Sequence, residues 1–164
     1  MMRAPKFWIR GRRLWGAAPP RGRTFDQWSD GVTLVVHHTA GSMPADEKAE
    51  REEMRSIQRA HFANGWSDIG YNYVIMPSGR VYEGRGFGIR GAHTEDHNRQ
   101  TIGVSFAGNY EVRKPTRASI RAYRQLVRRL REHGAVVKRV RGHKDMPDQA
   151  TACPGKHLMR ALKL

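Results

Sequence analysis

The sequence predicts an α/β fold in a single domain, with a central β-sheet flanked by helices. Three observations carry this expectation. The chain has 164 residues, enough for one ordinary core and too few for two. Short β-branched apolar runs alternate along it with segments whose apolar residues recur at helical spacing. Connections are short and marked by Gly or Pro, and neither an internal repeat nor a low-complexity tract interrupts the alternation.

The elements follow in order. Residues 31–38 (GVTLVVHH) are β-branched and continuously apolar up to the two histidines, as a buried strand requires. From Pro44 to about Asn64 the residues favour helix, with Asp46, Glu47 and Glu50 early and Met54, Ile57 and His61 on one face. Gly65 ends it. Residues 71–76 (YNYVIM) and 80–83 (RVYE) flank Pro77-Ser78-Gly79, which predicts two strands joined by a tight turn. Residues 101–107 form a further strand. After Pro115, Thr116 caps a helix whose apolar stripe is Ile120, Tyr123, Leu126, Val127 and Leu130, and whose arginines lie largely off that stripe. Gly134 closes it, residues 135–140 form the last strand, and Pro154 is expected as the first residue of a short C-terminal helix.

Composition narrows the function classes. The hydrophobic fraction is 38% and the charged fraction 27%, which excludes a disordered chain, and no apolar run is long enough to span a membrane. A single cysteine, Cys153, excludes an internal disulfide framework. Thirty Lys and Arg against fifteen Asp and Glu give a net charge of +15, so affinity for polyanions is expected. The charge is uneven. Residues 1–24 hold seven basic and no acidic side chains, and residues 111–144 hold twelve basic and two acidic. Between them, residues 25–110 hold eight basic and eleven acidic side chains and most of the distinctive Gly, His and aromatic positions. The opening residues have the positive flank of a secretory signal, but Arg10 interrupts the apolar stretch, so no signal peptide is expected.

His37 ends the first strand, His143 follows the last, and Cys153 lies ten residues further on. Two imidazoles and a thiolate leave a fourth tetrahedral position open on zinc, as catalytic sites require. Spacing alone leaves open the alternative that these are ordinary residues at strand ends, because neither a CxxC pair nor an HExxH helix is present. Gly84, Gly86, Gly88 and Gly91 suit irregular backbone, with no following Lys-Ser/Thr to suggest a phosphate loop.

Six segments occur in one order: residues 35–41 (VVHHTAG), 66–75 (WSDIGYNYVI), 79–86 (GRVYEGRG), 91–94 (GAHT), 101–104 (TIGV) and 151–155 (TACPG). Together they resemble the zinc-dependent N-acetylmuramoyl-L-alanine amidases of the type 2 amidase and peptidoglycan recognition protein superfamily, including phage endolysins of amidase type. The resemblance runs from about Arg12 to the C-terminus. It implies a mixed central sheet, one zinc per chain, and the metal ligands His37, His143 and Cys153. Strand alternation separately favours His37 over His38, whose side chain must face the other way. The resemblance further implies a catalytic role for Tyr71, as a phenol orienting water or donating to an oxyanion, and for Thr151, where phage relatives often carry Lys. Ser105 occupies the position of a catalytic Glu in another branch, so that base is absent here. The substrate groove implied by relatives includes His93, Arg85 and Asn98; Trp66 and Phe87 are further candidates to pack a sugar or peptide, with core or hinge packing as the alternative.

The expected function is therefore cleavage of the amide between N-acetylmuramic acid and L-alanine of the stem peptide. A basic segment at 1–24, partly packed on the domain, would precede a catalytic domain at 25–164. Expected partners are peptidoglycan and, through the basic segments, an anionic cell-wall or membrane surface; the protein should act as a monomer. A phage or prophage endolysin, made in the cytoplasm and acting on the wall after release, suits a chain without disulfides. The alternatives are a non-catalytic peptidoglycan-binding module, against which Cys153 argues, and a nucleic-acid-binding protein. No nucleic-acid recognition fingerprint supports the latter.

Overall fold

A computed structural model describes residues 8–164 of the chain. In chain order the elements are β1 (Ile9–Arg10), α1 (Arg12–Trp15), β2 (Val32–His38), α2 (Glu47–Ala63), β3 (Tyr73–Ile75), β4 (Val81–Glu83), β5 (Thr101–Phe106), α3 (Arg117–Glu132), β6 (Val137–Gly142) and α4 (Lys156–Leu162). The six strands form one sheet in the order β1-β4-β3-β5-β2-β6. Only β3 and β4 run antiparallel, joined by the expected tight turn; every other neighbouring pair is parallel. The sheet is mixed.

Both long helices start at a side-chain cap, Thr116 as expected and Asp46 two residues beyond the expected start at Pro44. The Asp46 carboxylate accepts from Ala49 N–H at 2.8 Å, and Thr116 Oγ1 accepts from Ser119 N–H at 3.1 Å. Each satisfies one of the amides left open in the first turn. Alternation along the strands then divides the core in two. On one face Leu34 and Val36 of β2, and Ile102, Val104 and Phe106 of β5, pack against Ala122, Leu126 and Leu130 of α3 and Leu158 of α4. On the other, Val74 and Tyr82 pack with Met54 of α2 and with Trp15 of α1, which is fully buried.

Four boundaries differ clearly from expectation. Helix α2 begins at Glu47 and not at Pro44, and β3 covers Tyr73–Ile75 within the expected 71–76. The last strand spans Val137–Gly142 and not 135–140, because Val136 bonds Trp28 O and Val32 N–H across an irregularity at Val32/Thr33, and the regular ladder begins only beyond it. The C-terminal helix begins at Lys156, so Pro154 is not its first residue. Gly155 has φ +92°, which is incompatible with helix, and its N–H closes a turn onto Ala152 O. From Ile9 onward, part of the basic stretch of residues 1–24 is built into the fold. Strand β1 pairs with β4, and the Arg12 guanidinium meets the buried Asp68 carboxylate at 2.9 Å. Residues 1–7 of that stretch lie outside the described residues.

Candidate active site

The parallel neighbours β2 and β6 end side by side, and in such sheets ligands gather beyond the carboxyl ends of the strands. His37 stands at the end of β2, His143 just past β6, and Cys153 in the turn before α4. One nitrogen or sulfur from each lies within 4.8 Å of the others. Cys153 Sγ is 3.7 Å from His37 Nδ1. The opposite nitrogen of each imidazole is already engaged: His37 Nε2 lies 2.9 Å from His93 Nδ1, and His143 Nε2 lies 2.9 Å from Gln149 Oε1. Two rings held from behind through Nε2, with His37 Nδ1 facing the Cys153 sulfur, match the way outer hydrogen bonds orient ligating histidines. The donor set, two imidazoles and a thiol, suits zinc.

Burial sets the electrostatics. It lowers the His37 imidazole well below its ordinary range, helped by the neighbouring His93 and His143, and pushes the Cys153 thiol up to about 12. The His37 ring is therefore neutral at pH 7 and the sulfur holds its proton until a cation displaces it. The Tyr71 phenol is likewise pushed up to about 12 by burial, with the Cys153 thiolate form opposing its ionisation. Its ring lies 5.4 Å from that of His37. Tyr71 therefore remains a hydrogen-bond donor at neutral pH.

These side chains line a recess of about 300 Å³ that also includes His61, Trp66 and Thr151. A second recess of about 510 Å³ adjoins it, sharing Trp66, His93 and His143 and adding Asn98 and Gln149. Thr151 Oγ1 accepts from Cys153 N–H at 3.1 Å, which leaves its own proton free for a ligand. Trp66 is 37% exposed and its ring lies 4.6 Å from that of His61, tilted by 48°. Asn98 lines the cleft but spends its carbonyl oxygen on the amides of His93 and Thr94, both at 2.9 Å. His93 is buried against His37, so little of it is offered to solvent. Arg85 lines neither recess; its guanidinium donates to Ile69 O at 2.8 Å and Arg90 O at 3.0 Å, bracing the loop behind the site. His38 faces away, as alternation requires, and accepts from Tyr110 N–H. A larger recess of about 700 Å³ beside Trp8 and Phe87 contains none of the clustered donors.

Three residues of the site escape sequence reasoning. His61 belongs to the apolar stripe of α2, yet its Nδ1 accepts from Gly70 N–H at 2.7 Å and its ring faces Tyr71. Gln149 carries no signal beyond lying between His143 and Cys153. Gly103, on β5, makes room for His93, because a Cβ there would collide with the imidazole; a glycine inside a strand is the available hint of such a close approach.

A model of the N-acetylmuramoyl-L-alanine amidase family matches residues 28–156. The chain belongs to this family. Among its relatives, peptidoglycan-recognition protein SC2 of Drosophila simulans is 37% identical over 132 residues, which is 79% of this chain and 71% of that protein. The human N-acetylmuramoyl-L-alanine amidase is 38% identical over 161 residues, covering 94% of this chain but 28% of the human protein. Among solved structures of the family, Drosophila PGRP-LB superposes with a TM-score of 0.85 at 29% identity, covering 95% of this chain and 92% of that one. Peptidoglycan recognition protein-LE in complex with tracheal cytotoxin superposes with a TM-score of 0.89 at 30% identity, covering 94% and 92%.

Proposed function

We propose that this protein is a zinc-dependent hydrolase that cleaves the amide between N-acetylmuramic acid and the L-alanine of the peptidoglycan stem. The observation that carries this reading is the convergence of His37, His143 and Cys153 beside the protonated Tyr71 at the floor of a cleft, in a chain of the amidase family. The donor set fits one zinc ion per chain, which when bound would polarise the scissile carbonyl and activate water. His37 and His143 would ligate through Nδ1, with Nε2–H donated to His93 and Gln149 respectively. Cys153 would give up its proton on binding.

The remaining steps belong to side chains of the chain itself. The Tyr71 phenol donates to the carbonyl oxygen as negative charge develops on it, and the Thr151 hydroxyl, which lines the same recess, is a second donor. Neither ionises in the working range, so both act as donors and not as bases. Trp66 offers an exposed aromatic face at the junction of the two recesses, suited to a sugar ring or peptide. The solved complex of peptidoglycan recognition protein-LE with tracheal cytotoxin, a monomeric diaminopimelic acid-type peptidoglycan, supports a muropeptide as the substrate class. The single cysteine supports an endolysin-type role at the bacterial wall, where no disulfide need form.

Mass analysis of purified wall digests tests reaction and bond together. New amino termini on L-alanine, with intact glycan strands, are expected. Binding to walls without any such product would sink the enzymatic reading and leave a peptidoglycan-binding module.

A further inference from the structure

The positive charge is not distributed in the same way on the two faces of the sheet. On α2, Arg51, Arg55 and Arg59 pair with the glutamates of their own helix. The first turns of α3 differ. Lys114, Arg117, Arg121 and Arg124 surround a groove of about 550 Å³ that is closed on its other side by Arg160 of α4. No acidic side chain lines it, and among the described residues none of these five cations makes an ion pair or a side-chain hydrogen bond. Its apolar lining is Pro115, Ile120 and Ala161, and the His157 imidazole of α4 completes it. Like charges held around one concavity repel each other, and field lines focus there, so the groove favours an anionic occupant.

The groove lies away from the proposed catalytic cleft. Helices α3 and α4 pack on the face of the sheet that buries Leu34 and Val36, whereas the intervening residue Val35 and the next, His37, point to the other face. Cations rising on both walls over a short apolar floor match a chain of alternating phosphates and small neutral spacers. Single-stranded nucleic acid fits less well, because the lining holds one imidazole, His157, and no Phe, Tyr or Trp on which successive bases could stack. A bilayer also fits less well. The large exposed apolar side chains that would insert, such as Trp8, Phe25 and Phe87, lie elsewhere, and a concave surface meets a flat one poorly.

We propose that the α3/α4 groove is a binding site for a linear polymer of phosphodiester-linked polyols. Guanidinium groups of Arg117, Arg121, Arg124 and Arg160 take the phosphates, with Lys114 as a further point charge, and the polyol spacers lie over Ile120 and Ala161. The site does not depend on the reaction in the cleft.

The test measures binding of short poly(glycerol phosphate) chains to the full chain by titration calorimetry across a salt series. One variant carries Arg117→Gln, Arg121→Gln, Arg124→Gln and Arg160→Gln. A control of equal net charge carries Arg13→Gln, Arg23→Gln, Arg131→Gln and Arg139→Gln. All eight side chains are exposed, so both variants should fold. The groove variant is expected to bind at least about tenfold more weakly, and its slope of log affinity against log salt should fall by about 3. The control should stay within about threefold of the parent, because scattered charges beyond the screening length contribute little. Equal weakening of the two variants would overturn the proposal in favour of diffuse charge. So would tighter binding to oligo-deoxynucleotides or to phosphatidylglycerol vesicles than to poly(glycerol phosphate).

Discussion

The position of His93 shows how one side chain takes on a different role from the one a motif suggests. In sequence it belongs to a segment that lines a substrate groove, and in the fold it is 8% exposed with its Nδ1 2.9 Å from His37 Nε2. Its other nitrogen lies 3.4 Å from Thr101 Oγ1, so the ring is fixed on both edges. His93→Ala should therefore weaken zinc binding by about 10- to 100-fold, the range for loss of an outer hydrogen bond to a ligating histidine. Competition with a chromogenic chelator measures this without any turnover, and unchanged affinity would return His93 to the substrate. His61 carries a second prediction. Burial, with Arg85 adding to it and Asp68 opposing, lowers its imidazole to about 4, against about 6.5 in an unfolded chain. The folded state therefore prefers the neutral ring. Its contribution is fully present above pH 6.5 and is lost as the pH falls toward 4. Protonation at Nδ1 would also break the bond from Gly70 N–H. Urea unfolding at pH 7.5 and pH 5 should show a smaller acid loss of stability for His61→Gln than for the parent; equal losses would assign the acid sensitivity to other groups.

At the scale of elements, the strands and long helices were legible because each had a periodic pattern and a stop. The cap Thr116, the turn at Pro77-Ser78-Gly79 and the stripe of α3 all appear as the residues imply. Strand β1 and helix α1 were not, since elements of two and four residues are too short for a period to show. The cleft trio was legible as residue types, but what holds it was not, because Gln149 and His61 act through tertiary contacts. Asn72 is the strongest case. It sits beside Tyr71, is fully buried, and donates to Gly86 O at 3.0 Å and Ile89 O at 2.7 Å while accepting from Gly103 N–H at 2.9 Å. One amide thus ties the glycine-rich loop and β5 to the start of β3. Asn72→Ala should destabilise the fold by about 3 kcal/mol, since it leaves several buried backbone groups unpaired. It should also lower turnover by loosening Tyr71. Denaturant unfolding measures the first effect, and a midpoint equal to the parent's would show that the loop is held by other contacts.

At the scale of the molecule, the net charge of +15 looked from sequence like two free reservoirs, and the fold shows them to be unequal. Arg10 and Arg12 of the first reservoir are drawn into pairs with Glu47 and Asp68, so part of that charge holds β1 and α1 against the domain. In the second reservoir the N-terminal half of α3 remains unpaired and faces away from the cleft. A catalytic face with little excess charge and a strongly basic opposite face separate attraction from chemistry. Attraction to an anionic wall acts over a distance that salt shortens from roughly 10 Å at 0.1 M to roughly 3 Å at 1 M. The hydrogen bonds that orient His37 and His143 are screened far less. Release of products from whole walls should accordingly fall steeply between low and high salt, while cleavage of a small uncharged muramoyl-peptide analogue should change little over the same range. Parallel rate measurements on the two substrates decide the point: equal salt dependence would mean that the ions act on the cleft itself, and that the basic face makes no contribution to capture.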